Sequence, residues 1–463
     1  MNFNQLEYLF LLFICILGTH ILRNNTIQKI LLLIASLYFY AWVDVRFLPL
    51  LLVYVFVTYG TMLALKSQHN SPNKLCKYLC YVAITLLLGI LVLFKYTNFL
   101  LETISAIFGR RPTVVHMFLP LGISFITFQC ISLIADVYKG KEIPCSLIDT
   151  ALITCFFPKL VAGPIVLIRE IHTQLIEEKK LQPKEIYYGL RQFTIGLFQK
   201  ILIADHLSSF VNKVFENYAV FDYLTLWVAA FCYTIQIYCD FCGYSNMAIG
   251  SARMLGFHIN ENFDWPYLSQ NITEFWRRWH ISLSYWLRDY VYIPLGGNRK
   301  GKLRSYFNQL LTMVLGGLWH GANWTFIVWG IWHGLLLCSH KLWSQRRNTI
   351  HPTNTIIRSV CIILTLLCVM FGWIIFRANT CQQAYCIIKR MFLCQKGVFW
   401  CNPFHIGIIL LVFIWHILKE LRLDKFMELP YGSLFSYTIL FTMIWLIILF
   451  HPVEFTPFVY GNF

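Results

Sequence analysis

The chain has 463 residues, of which 58% are hydrophobic, 17% aromatic and only 13% charged, and its mean hydropathy is +0.59. This composition excludes a soluble globular protein and favours an integral membrane protein. The formal net charge of +16 could indicate nucleic-acid binding, but the basic residues lie in short loops between apolar runs, where membrane topology explains them. We therefore expect contacts with membrane lipids and no nucleic-acid partner.

Apolar runs long enough to cross a bilayer recur along the chain, for example over residues 47–65, 114–135, 221–239, 355–376 and 433–450. Their lengths predict an all-α, polytopic membrane protein of about ten to twelve transmembrane helices, with re-entrant and interfacial helices in addition. The longest polar stretch, residues 169–191, is only about twenty residues long, which is too short for a soluble domain. Residues 1–463 are therefore expected to form a single membrane domain.

The segment FFPKLVAGPI, residues 156–165, breaks the pattern of regular spans because it places two prolines and a glycine among apolar residues. Backbone groups freed in this way survive at membrane depth only where protein or a wet cavity covers them. The segment indicates either a re-entrant or broken helix or an ordinary kinked span.

Asp240 and a pair of cysteines lie in the apolar stretch FCYTIQIYCDFCGYSNMAIG, residues 231–250. Asp240 is expected to orient a helix or to line a cavity. Cys239 and Cys242 form a CxxC pair that stands alone, whereas a structural zinc site would need two further ligands at comparable spacing. We therefore expect no metal site.

Residues 261–304 interleave charged and aromatic side chains at helical spacing. Thr273 is expected to cap a helix in which Glu274 faces Arg277 and Arg278, and that helix should lie along the cytoplasmic interface. The apolar side of the helix would consist of Trp276, Trp279, Leu283 and Leu287.

Two functions are open for the basic and imidazole side chains of this segment. Arg277, Arg278 and Arg288 are candidates for binding the phosphates of a cytoplasmic donor, or they only enforce topology and contact lipid head groups. His280 is either a catalytic group or an amphipathic packing residue, and we expect it near the cytoplasm.

The stretch GGLWHGANWTFIVWGIWHG, residues 316–334, contains two histidines and no charged residue. The basic residues Arg304 and Lys341 flank an apolar segment long enough for two passes, which predicts a hairpin with its far turn near HGAN. His320 would then lie about 24 Å along a helix from Arg304, deep in the membrane. An ionisable side chain at this depth is a candidate functional residue. The alternative is that His320 is a hydrogen-bonded histidine of the protein core.

Several neighbours of His320 are expected to support it or to line a cavity around it: Trp319, Asn323, Asp240 and His333. Asn323, three residues after His320, can lie beside it on a continuous helix. His333 follows thirteen residues later and falls on a different face, so the two histidines are not expected to share a metal.

A neutral imidazole at depth can take a proton from a hydroxyl group. The sequence lacks a GxSxG elbow beside His320, a Walker-type glycine loop and an accompanying pair of carboxylates. These observations favour direct acyl transfer to a hydroxyl with histidine as general base. A membrane transporter whose histidines relay protons would use similar residues, and a silent docking scaffold would need neither His280 nor His320.

Two long segments together resemble the paired signature of the membrane-bound O-acyltransferases: ENFDWPYLSQNITEFWRRWHISLSYWLRDYVYIPLGGNRKG and LLTMVLGGLWHGANWTFIVWGIWHG. They are similar to the branch that O-acetylates alginate and peptidoglycan in bacteria. PLGISFITFQCISLIADVYKG, FFPKLVAGPI and QIYCDFCGYSNMAIGSARMLGF also match that branch, so the resemblance covers a signature core of about residues 119–376.

The resemblance implies that His320 is the catalytic histidine and His280 the second signature histidine, both meeting a tunnel within a multi-helix membrane bundle. It also implies acetyl-CoA as a cytoplasmic donor substrate, with no permanently bound cofactor, and a location in the bacterial inner membrane. The partner would be a periplasmic SGNH-type acetyltransferase acting on an extracytoplasmic polysaccharide. D-alanyl-transferring relatives, whose donor is a carrier protein, are the nearest alternative within the family.

The chain ends in FVYGNF, which departs from the F-x-Y-F-x-F pattern of the branch because Gly461 replaces an aromatic residue. Tyr460 is therefore a candidate acyl relay or partner-docking residue by resemblance. Its alternative role is that of an interfacial aromatic anchor.

Overall fold

The computed structural model describes residues 1, 3–66, 74–111, 114–140, 146–180, 182–346, 354–421, 429–452 and 458. Within these residues the chain forms nineteen α-helices. They are α1 Leu6–Ile21, α2 Asn25–Asp44, α3 Leu48–Lys66, α4 Lys74–Leu91, α5 Thr97–Ile107, α6 Ile123–Tyr138, α7 Leu147–Cys155, α8 Ile168–Ile176, α9 Pro183–Phe198, α10 His206–Glu216, α11 Tyr223–Met254, α12 Ile272–Arg278, α13 Ile281–Leu287, α14 Lys302–His320, α15 Trp324–Arg346, α16 Thr355–Arg377, α17 Cys381–Phe392, α18 Pro403–Glu420 and α19 Leu434–Leu449.

Local sequence explains where several of these helices begin. The side chains of Asn24, Asn354, Thr380 and Asn402 each accept a hydrogen bond from a backbone N–H group in the first turn of α2, α16, α17 and α18. Asparagine and threonine are favoured at this position because they satisfy donors that the helix itself leaves free. Short π-helical stretches, Val92–Tyr96, Gln199–Asp205 and Arg288–Tyr292, interrupt the regular α-helical geometry elsewhere.

Five continuous helical segments in the described part of the chain are long and apolar enough to cross a membrane. They are Asn25–Lys66, Lys74–Ile107, Tyr223–Met254, Thr355–Arg377 and Pro403–Glu420, and Leu6–Ile21, Ile123–Tyr138 and Leu434–Leu449 are shorter apolar helices. The predicted all-α, multi-span membrane fold is confirmed. This criterion counts fewer segments than the expected ten to twelve, in part because Asn25–Lys66 joins α2 and α3 through a single 3₁₀ turn.

The chain divides into two compact units. Unit 1 contains Met1–Phe193 and Tyr244–Asn260, and unit 2 contains Thr194–Gly243 and Glu261–Phe463. The histidines His280, His320 and His333 all belong to unit 2.

In unit 1, residues 156–165 are irregular, and all of them except Val161 are buried. The protein satisfies their backbone and polar groups: the Phe157 N–H donates to Ser36 Oγ at 3.1 Å, and Lys159 Nζ donates to Gln129 Oε1 at 3.0 Å. Gln129 Nε2 in turn donates to the Val166 carbonyl at 2.6 Å. Of the two alternatives, the irregular backbone favours a broken helix over an ordinary kinked span, and protein covers its polar groups.

In unit 2, α14 and α15 form the predicted hairpin, with its turn over residues 321–323. The predicted helix after residue 271 is correct in part. Asn271, and not Thr273, caps α12 by accepting a hydrogen bond from the Glu274 N–H at 2.9 Å. The helix is also discontinuous, because α12 ends at Arg278 and α13 begins only at Ile281.

Candidate active site

The α14–α15 hairpin positions His320 at the last residue of its first helix. Glycines let the two helices approach closely: a Cβ atom at Gly330 would lie 2.5 Å from the Met313 carbonyl oxygen, and one at Gly317 would collide with the Phe326 carbonyl. Small residues at a helix crossing are the usual means of such close packing in membrane proteins. The hairpin therefore holds His320 between two tightly packed helices.

The turn after His320 is fixed by Asn323. Its Oδ1 accepts a hydrogen bond from the Thr325 N–H at 3.1 Å, and its Nδ2 donates to the Asn379 carbonyl at 3.1 Å. Because α14 ends at His320, Asn323 lies in the turn and not on a helix that continues past His320, so the spacing argument that placed it there was wrong. Its proposed supporting role stays a prediction.

His280 lies in the break between α12 and α13 and adopts a left-handed backbone conformation with φ 42°. A residue other than glycine rarely adopts this conformation, which costs about 1–3 kcal/mol and is concentrated at functional sites. The side chain is fully buried. Its Nδ1 atom lies 3.2 Å from Oδ1 of Asn262, which is also completely buried.

The two signature histidines come together in unit 2. The ring centroids of His280 and His320 lie 6.5 Å apart, and His320 is only 3% exposed. The sequence had placed His320 far from His280 in depth, and the 6.5 Å between the two rings shows that this separation was wrong. The expected location of His280 near the cytoplasm stays a prediction. His280 lies in the break between α12 and α13, which the helical periodicity did not predict, and its side chain is buried in the protein.

Aromatic rings enclose both imidazoles. Trp319, Trp329 and Phe376 surround His320 with ring centroids 5.0, 5.2 and 5.3 Å away. Phe241 of α11 packs against His280 at 4.6 Å. Trp319 thus lies beside His320, and its ring centroid is 5.9 Å from that of His280; its supporting role stays a prediction.

His333, on α15, is fully buried, and the ring of Trp329 lies next to both His333 and His320. Trp329 separates the two histidines, since its ring centroid is 5.2 Å from His320 and 4.8 Å from His333. Trp276 of α12 contacts His333 at 5.3 Å. His333 therefore borders the aromatic cluster, and its role in lining a tunnel stays a prediction.

The apolar side predicted for residues 276–287 is confirmed, because Trp276, Trp279, Leu283 and Leu287 are all buried. These side chains pack into the protein interior. The interfacial location expected for this segment stays a prediction. Thr273, expected as the cap, instead lies 2.8 Å from His340 Nδ1 through its hydroxyl oxygen.

The candidate phosphate-binding arginines lie at the ends of α12 and α13. Arg278 pairs with Glu274 at 2.7 Å, which confirms the predicted i,i+4 ion pair, and also lies 3.9 Å from Glu420. Arg288 pairs with Asp289 at 2.7 Å, and Arg277 is exposed. Carboxylates thus offset part of the charge of Arg278 and Arg288, and donor binding by the three arginines stays a prediction.

Asp240 belongs to a buried charge cluster that the sequence did not predict. Lys200 Nζ lies 2.6 Å from Asp240 Oδ1 and 2.8 Å from Asp205 Oδ1, with side-chain exposures of 1%, 3% and 4% for Lys200, Asp240 and Asp205. The available signal was Lys200 and Asp205 themselves, which stand in the otherwise apolar run LFQKILIADHL. The cluster joins α11 to the stretch Gln199–Asp205, and the role of Asp240 in orienting a helix or lining a cavity stays a prediction.

Tyr460 lies outside the described residues, and so does the rest of the FVYGNF ending apart from Phe458. The ring of Phe458 is buried and lies 4.5 Å from Lys200 Nζ. Among the residues that the structure describes, no three His, Cys, Asp or Glu side chains converge as ligands for a metal ion.

The arrangement can perform proton transfer in a dry, aromatic environment. Two imidazoles face a common region, and histidine is the side chain best suited to exchange protons with a hydroxyl group near neutral pH. The polar groups of this site come from α14, the loop at Asn262 and the break at His280, and α11 contributes the ring of Phe241.

Comparison with known proteins identifies the family. The model of the membrane-bound O-acyltransferase family matches residues 144–382, more than half of the chain. A probable alginate O-acetylase AlgI of Azotobacter vinelandii is 42% identical over 400 residues, which cover 85% of this chain and 78% of that protein. A peptidoglycan O-acetyltransferase of Helicobacter pylori is 35% identical over 396 residues, covering 80% of this chain and 74% of that protein.

A teichoic acid D-alanyltransferase of Bacillus subtilis is also similar, at 28% identity over 283 residues that cover 55% of this chain and 68% of that protein. The matched family region contains α12 to α15 and both signature histidines. The resemblance noted in the sequence is confirmed. The chain belongs to the membrane-bound O-acyltransferase family and is an acyltransferase of the membrane.

Proposed function

We propose that this acyltransferase takes an acetyl group from cytoplasmic acetyl-CoA and passes it across the bacterial inner membrane. The final acceptor is a hydroxyl group of an extracytoplasmic polysaccharide of the alginate or peptidoglycan type. The observation that carries the proposal is the pair of buried imidazoles, His280 and His320, with ring centroids 6.5 Å apart. The names of the relatives at 35–42% identity support acetyl transfer and these two polymers.

The spacing of the two rings suits a reaction at one oxygen atom. A ring nitrogen lies about 1 Å from its own centroid, so the nearest nitrogens are at least about 4 Å apart, too far for a direct hydrogen bond of about 3 Å. A hydroxyl oxygen between the rings can lie within hydrogen-bond distance of both. We assign the general base to this histidine pair, with His320 as the residue marked by the resemblance.

In this proposal the acetyl donor binds on the cytoplasmic side of the membrane, and the partner protein receives the acetyl group on the opposite side. Arg277, Arg278 and Arg288 are the candidates for binding the phosphates of acetyl-CoA, because guanidinium groups bind phosphate oxygens in a bidentate manner. A periplasmic SGNH-type acetyltransferase would receive the acetyl group. Tyr460 is a candidate relay or docking residue on the strength of the resemblance.

The test is transfer of label from radioactive acetyl-CoA by protein reconstituted in liposomes. We expect His320→Ala to lower the rate at least about a hundredfold, because general acid–base catalysis contributes about 10²–10⁴. His20→Ala, at an exposed histidine of α1, is the matched control and should remain within about twofold of the wild type. Normal transfer by His320→Ala would refute the assignment of the catalytic histidine.

The same preparation separates the alternatives. A transporter would leave the acetyl thioester intact, and a D-alanyl transferase would consume a D-alanyl carrier protein instead of acetyl-CoA. Mass analysis of exported glycans from a deletion strain identifies the polymer, since the true substrate should lose its O-acetyl groups. An unchanged glycan profile would contradict the proposed acceptor.

A further inference from the structure

Asn262 makes an unusual set of contacts at the histidine pair. Its Oδ1 atom lies 3.1 Å from the Ser282 backbone nitrogen, 2.9 Å from Ser282 Oγ and 3.2 Å from His280 Nδ1. The backbone around it is fixed as well, because the Ile281 N–H donates to the Asn262 carbonyl and the Asp264 N–H to the Arg278 carbonyl, each at 2.9 Å. Asn262 therefore sits in a rigid frame.

The backbone N–H of Ser282 can only donate a hydrogen bond. The Asn262 atom that faces it must therefore be the carbonyl oxygen and not the amide nitrogen, which removes the usual ambiguity of an asparagine side chain. The same oxygen faces His280 Nδ1. Since an amide oxygen accepts and never donates, His280 Nδ1 must carry the proton in this contact.

A neutral imidazole carries one proton, so with Nδ1 protonated the other nitrogen, Nε2, has a free lone pair. Nε2 of His280 is buried and has no hydrogen-bond partner among the described residues. Buried polar atoms without partners are rare, and each calls for an explanation such as a water, a ligand or a catalytic role. Here the unpartnered atom belongs to a ring that faces His320 across 6.5 Å.

We propose that Asn262 is a positioning residue that holds His280 in the Nδ1–H tautomer, so that His280 enters acyl transfer as a proton acceptor at Nε2. This rests on the proposed function and deepens it, because it assigns an atom and a direction of proton transfer within the histidine pair. Neutral His280 in this tautomer cannot donate a hydrogen bond from Nε2 to a carbonyl oxygen. It can accept one from an attacking hydroxyl group.

The O–H bond of the acceptor breaks and an N–H bond forms at His280 Nε2, while the oxygen electron pair forms the new ester bond to the acetyl carbon. The C–S bond of the thioester breaks, its electron pair leaves on sulfur, and the resulting thiolate takes the proton back. No oxidant or further reactant is needed.

The direct test is the tautomer itself, measured by solid-state ¹⁵N NMR on the full chain labelled at histidine in lipid bilayers. The His280 signals are those missing in His280→Gln. We expect a protonated Nδ1 and a bare Nε2 in the wild type, and a mixture of tautomers in Asn262→Leu. A protonated Nε2 in the wild type would overturn the proposal, and this result does not depend on any acetyl-transfer assay.

The kinetic test compares three variants. Asn262→Leu should lower kcat at least about tenfold without changing KM for acetyl-CoA, since only part of the general-base contribution of about 10²–10⁴ is lost. Asn262→Asp keeps an acceptor for Nδ1–H and should recover most of kcat. Ser282→Ala, the matched control, removes one donor to the same oxygen but keeps the backbone N–H, and should stay within about twofold.

The dependence of kcat on pH distinguishes a positioning role of Asn262 from a general loss of order in the loop that contains it. The contacts of His280 come from Phe241 on α11, Asn262, and Trp319 and His320 on α14, and His320 is the titratable side chain among them. A carboxylate in Asn262→Asp stabilises the protonated imidazole, so the acidic limb of kcat should move to higher pH. The positioning role would be refuted if the acidic limb of kcat in Asn262→Asp stayed at the wild-type pH. Equal losses of kcat in Ser282→Ala and Asn262→Leu would also refute it.

An inactive wild type with the expected tautomer would instead refute acetyl-CoA as donor. The two proposals therefore fail in different experiments.

Discussion

Among single residues of unit 2, the buried charges of Lys200, Asp205 and Asp240 carry a large desolvation cost. All three side chains are at least 96% buried, and both carboxylates lie within 2.8 Å of the same ammonium group. Removing such charges from water costs several kcal/mol per ion, which only close pairing offsets. The cluster joins the π-helical stretch at Gln199–Asp205 to α11, the helix that also carries Phe241.

We expect Lys200→Met to destabilise the protein strongly. Two buried carboxylates would lose their shared cation, a change that typically costs about 3–5 kcal/mol. The measurement is the free energy of unfolding by denaturant titration in detergent micelles. Asp240→Asn is the matched control, because it keeps an oxygen toward Lys200 and leaves the pair with Asp205, so its loss should be clearly smaller. Equal stability of Lys200→Met and the wild type would contradict a structural role for the cluster.

The residue scale also shows what sequence patterns leave undetermined. The resemblance placed His280 and His320 in one site, but periodicity carried a helix through residue 280 and separated the two in depth. His280 adopts a left-handed conformation next to the hydrogen bonds around Asn262, and its ring is buried beside His320. The sequence did not mark Asn262 as a site residue, because its contact with His280, eighteen residues away, depends on tertiary packing.

Among the structural elements, the sequence predicted best those that depend on the local composition of the chain. Flanking charges and apolar length predicted the α14–α15 hairpin, and two prolines with a glycine predicted the break at residues 156–165. Both are local properties of the chain. Capping by Asn271 and the end of α12 at Arg278 depend on contacts with other segments, and the sequence did not predict them.

The close contact within the hairpin leads to a prediction about Gly330. A methyl group there would lie 2.5 Å from the Met313 carbonyl oxygen, closer than real Cβ contacts allow, so α14 and α15 must separate. We expect Gly330→Ala to lower stability by about 1–3 kcal/mol, as overpacking does, and to reduce acetyl transfer by displacing His320.

The matched control for this change is Gly407→Ala. Gly407 also lies inside a helix, α18, but nothing stands within 4 Å of the position of its missing Cβ. Stability and transfer rate should be unchanged or slightly improved in this variant, since alanine is the better helix former. If both alanine variants behave alike in unfolding and transfer assays, close packing of the hairpin is not what positions His320.

At the scale of the whole molecule, the excess of basic over acidic residues bears on orientation. Arg299 and Lys300 precede α14, Lys302 and Arg304 lie in its first turn, and all four are exposed. Segments rich in lysine and arginine remain on the cytoplasmic side. A helix of 19 residues is about 28 Å long, so we expect the turn after His320 to lie near the opposite face of the membrane. Asn323 in this turn donates to the Asn379 carbonyl, which places the start of α17 at the same end of unit 2.

This geometry predicts which native cysteine can be reached from outside the cell membrane. Cys381, the first residue of α17, is exposed and lies two residues after Asn379. In spheroplasts we expect a membrane-impermeant maleimide to label Cys381 and to lose that signal in Cys381→Ser. A cysteine introduced at Arg299 should react only after the membrane is opened, because it would stand in the cytoplasmic basic loop. The reverse pattern would invert the orientation, and acetyl-CoA would then have to enter from the other end of the α14–α15 hairpin.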